Sequence, residues 1–579
     1  MGTKALLVYP EIPPTFWGMN YALPFIGKKA SSPPLGLITV AAMLPGDYDL
    51  TLVDMNVTPL REEAVQKSDV VFCSSMIIQR RSFENVVELC RKYGKPLVAG
   101  GPYPTACHDR IGGVDHFVLN EAETTLPSFL EDFQKGSAGR LYSDSTRPDI
   151  TQTPVPRFDL LDLKAYSAMA LQFSRGCPHN CEFCDITELF GRYPRTKRPD
   201  QFVNEMDALY NTGFRGPLFV VDDNFIGNKK NVRALMPLAA DWQKRHGYPF
   251  SLFTEATVSL GEDQALMDSM VNAGFNMVFL GIETPDKKTL ELVHKQQNVR
   301  TDLFECVRRI QQSGLEVSSG FIVGFDSDPP DIFERQIRFI QEASIPSAMV
   351  GLLTAVPGSA LHRRLAAEDR LTGEASGNNT FELRLNYVPK MDVEQLLDGY
   401  KAVISEIYRP KRYFERCLAY LKTLKPNRHY ARRVRPKEVR AFFMSLSIQS
   451  FSRYGWRYWQ FLIRAFLMKP RLLAESVTMA IKGHHFFKMT RRVLAVDDFR
   501  KRLDRLADTF REKAAAVHAA DLEQKAAELA AYRDAVLARI RREYNKLHGD
   551  FRAYAEESLS RFEDMMDQLI LSIRQGSPT

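Results

Sequence analysis

Apolar and polar positions change their spacing several times along this chain, and each change marks a different kind of element. Over residues 1–135, short apolar runs (KALLVYP, LTLVDMNV, DVVFCSSM, PLVAGGP, HFVLNEAE) each end in turn-forming residues. Stretches of helical spacing lie between them, such as LGLITVAAMLP and SFENVVELCRKYG. Unbroken apolar runs suit strands buried on both faces, and strict alternation with helices predicts a doubly wound parallel sheet. Ligands of such sheets sit at the carboxyl ends of the strands. Residues 136–168 are polar and proline-bearing, which predicts a connection draped over the surface. Alternation resumes over 169–360 with ALQFSRG, PLFVVDDN, FSLFTEAT, NMVFLGIET, VSSGFIVGFD and SAMVGLLTAVPG. Six strand–helix units predict a partial (β/α)6 barrel whose chemistry lies at the strand C-termini. Residues 361–495 are basic, aromatic and helical in spacing. Beyond them Phe499, Leu503, Leu506 and Phe510 step by four, three and four, and Tyr544, Leu547, Phe551 and Tyr554 repeat the pattern. Residues 496–579 therefore read as long amphipathic helices, a hairpin or a coiled coil, and a candidate homodimer seam.

Composition adds little until it is divided. The 579 residues are 45% hydrophobic and 25% charged, which excludes a disordered or wholly coiled-coil chain. The net charge is +7. Residues 1–400 hold 40 Lys and Arg against 50 Asp and Glu, a net −10, whereas residues 401–500 hold 23 against 6, a net +17. Residues 501–579 are neutral, with 14 of each sign. An anionic partner is therefore to be sought in one block. Within it, FSRYGWRYWQFLIRAFLMKPRLL follows YARRVRPKEVR. Three readings compete: a core helix rimmed by snorkelling arginines, a peripheral membrane contact, or a nucleic-acid patch. The last ranks lowest because no nucleic-acid motif accompanies it, and no nucleic-acid partner is expected. No segment reaches the ~20 uninterrupted apolar residues of a spanning helix. The N-terminal apolar run is too short for a signal peptide. These features predict a cytoplasmic protein, peripheral at most on the inner face of a membrane.

Three of the eight cysteines are clustered, as SRGCPHNCEFCDI directly after a strand. Cys177, Cys181 and Cys184 form C-x3-C-x2-C. A short loop of this spacing wraps one face of a cubane iron–sulfur cluster, holding three irons and leaving the fourth open to a small amine and carboxylate. A zinc site using His179 is the alternative, but no second cysteine pair is present.

This loop, with Phe183 before its last cysteine, resembles the radical S-adenosylmethionine (SAM) superfamily over about residues 165–360. The resemblance implies a [4Fe–4S] cluster on Cys177, Cys181 and Cys184, with SAM on the open iron and a flavodoxin- or ferredoxin-type reducing partner. It implies SAM contacts from Phe183, from Asp222, Asp223 and Asn224 where the usual Gly-Gly-Glu is absent, and from Glu255, Glu283 and Ser319 at further strand ends. Taken singly, each of these carboxylates reads better as a loop salt bridge, and three carboxylate-bearing strand ends on one rim weaken that reading. The N-terminal sheet resembles the cobalamin-binding domain of cobalamin-dependent radical SAM enzymes. Its tips are PPLGL, VDMN, CSSM, AGGP and LNEAE, which implies cobalamin contacts from Pro34, Gly36, Asp54, Asn56, Ser74, Ser75, Gly100, Gly101, Asn120 and Glu121. Asn56 stands where many such domains carry a cobalt-binding histidine, which implies base-off cobalamin. The domain order, with PEIPPTFW, GFDSDPPDIFERQ and TAVPGSAL, resembles the group that includes the hopanoid C-2 methylases. The expected activity is methyl transfer to an unactivated carbon of a small, hydrophobic, lipid-like substrate. A radical SAM cyclase or C–C coupling enzyme using cobalamin structurally and a noncatalytic membrane or partner-binding scaffold are the rival readings.

Overall fold

The computed structural model describes residues 2–380, 382–425, 436–515, 522–547 and 549–575. Strands β1 (Lys4–Tyr9), β2 (Asp49–Asp54), β3 (Val70–Ser74), β4 (Leu97–Gly100), β5 (His116–Val118) and β6 (Leu141–Tyr142) form one parallel sheet, ordered β2-β1-β3-β4-β5-β6. The two-residue period of a strand sends alternate side chains into two separate cores. Leu6, Val8, Val71, Cys73, Leu97 and Ala99 fill one, and Ala5, Leu7, Val70, Phe72 and Val98 fill the other. The strand order reverses between β1 and β3, and the crevice of a doubly wound sheet lies at that reversal. One expectation is corrected. The segment 136–168 supplies β6 and buries Ile150, Phe158 and Tyr166, so it is built into the body and not draped over it. Its prolines stop regular structure without preventing burial of the apolar residues between them.

Strands β7 (Met169–Leu171), β10 (Gly216–Val220), β11 (Phe250–Ala256), β12 (Phe275–Glu283), β13 (Glu316–Val323) and β14 (Ser347–Leu352) form the second sheet. They are parallel and neighbour one another in sequence order, as a (β/α)6 partial barrel requires. The short antiparallel pair β8 (Ser174–Arg175) and β9 (Arg195–Thr196) flanks the thiol loop. Leu218, Val220, Leu252, Val278, Leu280 and Val317 are fully buried on the helix-covered face. The alternate residues Phe219, Phe253, Glu255, Met277 and Phe279 are only half-buried and line the lumen.

Helices follow at Val393–Ile407, Pro410–Thr423, Pro436–Ser450, Gly455–Met468, Leu473–Ala515, Leu522–Tyr544 and Gly549–Arg574. The chain divides into two compact units, residues 1–380 with 384–485, and residues 381–383 with 486–579. In the second unit Phe499, Leu503 and Phe510 pack with Leu529, Ile540, Phe562, Met566 and Ile570. The apolar face expected to form a hairpin, a coiled coil or a homodimer seam packs here against helices of the same chain. The side chain of Tyr554, and residues 430–435 of the basic stretch, lie outside the described residues. Among the described residues no helix is long and apolar enough to cross a membrane.

Candidate active site

The thiol loop leaves the first barrel strand through Gly176, whose φ is +95°. A Cβ there would stand 2.8 Å from the Gly191 carbonyl oxygen, so both the left-handed backbone and the close approach call for glycine. Two strand–helix connections hold the loop. Glu182 N–H donates to the Val293 carbonyl at 3.0 Å, and Leu361 N–H donates to the Glu182 carbonyl at 2.8 Å. The Glu182 carboxylate pairs with Arg364 at 2.5 Å, and the Phe183 ring lies 5.7 Å from that of Phe325. Phe183 thereby packs into an apolar cluster with Val293, Phe325, Leu353, Leu361 and Tyr387. Cys177, Cys181 and Cys184 are half-buried, whereas the other five cysteines are buried. Burial pushes the Cys177 and Cys184 thiols upward. They ionise readily only when a metal displaces their protons. Among the described residues no three His, Cys, Asp or Glu side chains converge on one metal ion.

The residues expected at the strand ends divide into two sets. Asp222 Oδ1 accepts the Phe173 N–H at 2.7 Å and its Oδ2 accepts the Ser174 hydroxyl at 2.6 Å. Both oxygens are spent bracing the bend that launches the thiol loop, so this aspartate has a different task from the one expected. Burial still raises its pKa to about 7. Asn224 Oδ1 accepts the Thr257 N–H at 3.3 Å and ties the end of β10 to that of β11. Ser319 does not end its strand. β13 runs on to Val323, and pairing with Leu280 and Ala348 places Ser319 on the buried, helix-covered face. Its hydroxyl is one of the buried groups without a hydrogen-bond partner among the described residues.

Asp223, Glu255 and Glu283 remain at the rim. Burial raises Asp223 to about 6, with Asp185 adding repulsion and Arg175 opposing it. Burial raises Glu255 to about 8, and the charges of Asp223 and Glu283 push the same way. Glu283 ends β12 with a φ of +65° and meets Lys295 Nζ at 2.5 Å. Lys295 is a functional candidate that sequence reasoning missed. It lies over the Phe183 ring at 5.6 Å. Burial works to lower its pKa, but the charges of Glu283, Cys181 and Cys184 outweigh it and the net direction is up. Gln297 Nε2 reaches Cys181 Sγ at 3.6 Å. Both come from KQQN in the connection after β12, a run without any local signature.

At the first sheet the expected tip residues also divide. Asp54 accepts from Asn56 N–H at 2.9 Å, the Asn56 amide at 2.7 Å and the Tyr166 hydroxyl at 2.9 Å. Asn56 Oδ1 in turn accepts the Ile12 N–H at 2.8 Å. Asn120, at φ +62°, donates to Ser143 Oγ at 3.1 Å and the Asp144 carbonyl at 2.9 Å. Glu121 is buried and accepts from Arg195 at 2.7 Å and Arg175 at 2.9 Å, while Arg175 also meets Glu123 at 2.8 Å. These four side chains all make fastening contacts within the fold. Glu121 clamps the first sheet to the segment that opens the thiol loop. Ser74, Ser75, Gly100 and Gly101 stay available at the ends of β3 and β4, with Pro34 and Gly36 at the start of helix Leu35–Ala41. A Cβ at Gly101, whose φ is +91°, would stand 2.7 Å from Ser74 Oγ. Ser75 Oγ is buried and has no partner among the described residues.

Comparison with known proteins decides among the readings. Residues 29–130 match the B12 binding domain, residues 171–340 the Radical SAM superfamily, and residues 359–498 a domain of unknown function (DUF4070). The chain is 40% identical to an uncharacterized methyltransferase of Synechocystis sp. over 84% of this chain and 91% of that protein. It is 32% identical to the hopanoid C-2 methylase of Rhodopseudomonas palustris over 73% of this chain and 81% of that protein. The chain belongs to the cobalamin-dependent radical SAM methyltransferase family. The structure of OxsB with aqua-cobalamin and SAM bound shares the fold, at a TM-score of 0.56 and 13% identity, over 98% of this chain and 84% of that one. TsrM from Kitasatospora setae, with cobalamin and [4Fe–4S] bound, gives 0.54 and 12% identity over 81% and 99%.

This radical SAM methyltransferase takes a [4Fe–4S] cluster, SAM and cobalamin, and its residues fit each. The three thiols supply soft donors for the cluster. The orphaned Ser75 hydroxyl, beside Gly101 where a Cβ would meet Ser74 Oγ, is a polar cradle that cobalamin would fit. The amide at Asn56 is committed to Asp54 and the N-terminal loop, so no cobalt ligand is offered from that position. Held by Cys177, Cys181 and Cys184, a cluster would supply an electron for reductive cleavage of SAM, and cobalamin would supply methyl-carrying chemistry. The protein's own part is to hold the loop, set the charge around it and close the barrel against water.

Proposed function

We propose that this enzyme methylates an unactivated carbon of a small, lipid-like substrate held in the barrel lumen. The observation that carries the reading is the lumen wall. Phe219 and Phe253 stack at 4.8 Å with 1° between their planes, and Trp17 meets Phe279 edge-on at 4.8 Å. Gly320 and Met349, and Ile322 and Gly351, continue the same face on β13 and β14. An apolar wall suits a bulky hydrocarbon, and the Rhodopseudomonas relative is a hopanoid methylase. Asp223 and Glu255 are the groups offered to the SAM ammonium and ribose, and the Glu283–Lys295 pair is offered to its carboxylate. Electrons come from a flavodoxin- or ferredoxin-type partner in the cytoplasm, and substrate comes from a membrane that the protein touches peripherally. The test is anaerobic turnover of reconstituted enzyme with methyl-deuterated SAM and total lipid extract. Formation of 5′-deoxyadenosine together with a deuterium-labelled lipid is expected. Deoxyadenosine with label only in water-soluble products would overturn the substrate class.

A further inference from the structure

Helices Pro436–Ser450 and Gly455–Met468 pack against each other as consecutive elements, and the second has two apolar stripes. Tyr458, Phe461, Leu462 and Ala465 are buried in the body. Trp456, Trp459, Ile463, Phe466 and Leu467 step by three, four, three and one along the other side. They are exposed by 73, 40, 54, 49 and 76%. Phe451 in the intervening turn is 92% exposed, and Phe443 on the preceding helix is 62% exposed. Scattered apolar residues on a surface need no explanation, but a continuous aromatic stripe of this kind marks a contact.

Charge identifies the occupant. From Val439 to Ala474 there is no Asp or Glu. Arg453, Arg457, Arg464 and Arg471 carry the charge there, while Arg440 turns to Gly27 and Lys469 donates to the Lys422 and Leu424 carbonyls. A second copy docked on the same stripe by two-fold symmetry would set arginine against arginine, with Glu415 and Lys411, which share a groove with Arg457 and Arg464, cancelling each other. An anionic bilayer meets both features, since rings sink among the acyl chains while arginines reach lipid phosphates. The helix Gly455–Met468 has 14 residues, too few to cross, so it lies in the interface plane. We infer that the stripe running from Phe443 through Phe451 to Leu467 is a docking surface for an anionic lipid bilayer. The inference rests on the proposed function only for what is delivered; the docking itself stands apart from it.

The test is flotation of the full-length, cluster-loaded protein with unilamellar vesicles of phosphatidylglycerol and phosphatidylcholine, against phosphatidylcholine alone. Wild type is expected to float with the anionic vesicles, and about 1 M salt should strip part of it by screening the arginines. The triple substitution Trp456→Ser, Trp459→Ser and Phe466→Ser should cut the bound fraction about tenfold through lost apolar burial. Arg457→Glu with Arg464→Glu should cut it comparably, at unchanged circular dichroism and unchanged deoxyadenosine formation. Failure of wild type to float, or equal flotation of all three proteins, would overturn the inference. So would light scattering that shows a wild-type dimer dissociated by the serine variant, because the stripe would then face a second copy. Flotation without any labelled lipid product would leave the docking surface standing and remove the lipid-substrate reading.

Discussion

Glu255 carries a carboxyl among two others with no counter-charge on its own strand, and burial first, then Asp223 and Glu283, raise it to about 8 from an ordinary value of 4.5. A carboxyl with a folded pKa above its unfolded one holds more protons when folded. Its contribution is therefore complete below about pH 4.5 and is lost as pH climbs to about 8. Urea unfolding of cofactor-free protein across that window should show falling stability, and Glu255→Gln should flatten the decline while weakening SAM binding. Lys295 is the complementary case. Its ammonium stands beside Glu283 and within the field of Cys181 and Cys184. Lys295→Met removes a positive charge that favours the more negative, reduced state of anything bound to those thiols. The midpoint potential of the reconstituted cluster should fall, as an EPR-monitored redox titration would record. An unchanged midpoint would show that the lysine serves Glu283 alone. Of these two residues, Glu255 was legible because it ends a strand, whereas Lys295 lies 12 positions beyond Glu283 in a connection with no pattern.

At the scale of elements, short unbroken apolar runs were a reliable guide to the strands because burial on both faces imposes them. It was less reliable at their ends. Ser319 looked terminal only because two serines and a glycine interrupt β13, yet the hydrogen-bonded ladder continues to Val323. The thiol loop depends on backbone geometry as much as on its cysteines. Gly176→Ala forces a left-handed conformation on a residue with a side chain, a strain of about 1–3 kcal/mol. Iron content per chain after reconstitution should drop while cobalamin content holds, and equal loss of both would indicate general misfolding. The C-terminal helices allow a cleaner packing test. Met566 is fully buried between helices of its own chain. Met566→Ala should cost about 2–5 kcal/mol in chemical denaturation, with the mass in solution unchanged because the seam is closed in cis.

Across the whole molecule, the fastening of the cobalamin-type sheet to the barrel is the feature with most consequence. Glu121 and Glu123 from the first sheet meet Arg175 and Arg195 on either side of the thiol loop, all largely buried. Removing one partner of such a network leaves an unpaired buried charge and costs about 3–5 kcal/mol. Glu121→Gln and Arg175→Met should each lower thermal stability by that order. The double variant should lose less than the sum, and full additivity would show that the two do not act as one clamp. The clamp also joins the place where a methyl carrier would sit to the place where the radical forms, which is the relation a two-cofactor transfer needs.

The sequence by itself determined the two parallel sheets, the thiol loop, the family resemblance and the basic aromatic block. These rest on spacing along the chain, which local geometry converts directly into strands, helices and a three-point donor loop. Only the tertiary structure decided which polar residues are free to meet a ligand. Asp54, Asn56, Asn120, Glu121 and Asp222 looked like ligands at strand tips but are committed to partners, some of them far away in the chain. Asp54 reaches Tyr166 across 112 residues, and Glu121 reaches Arg195 across 74. A carboxylate at a strand end has the same local sequence whether it is paired or not. Pairing is settled by what the fold brings opposite it.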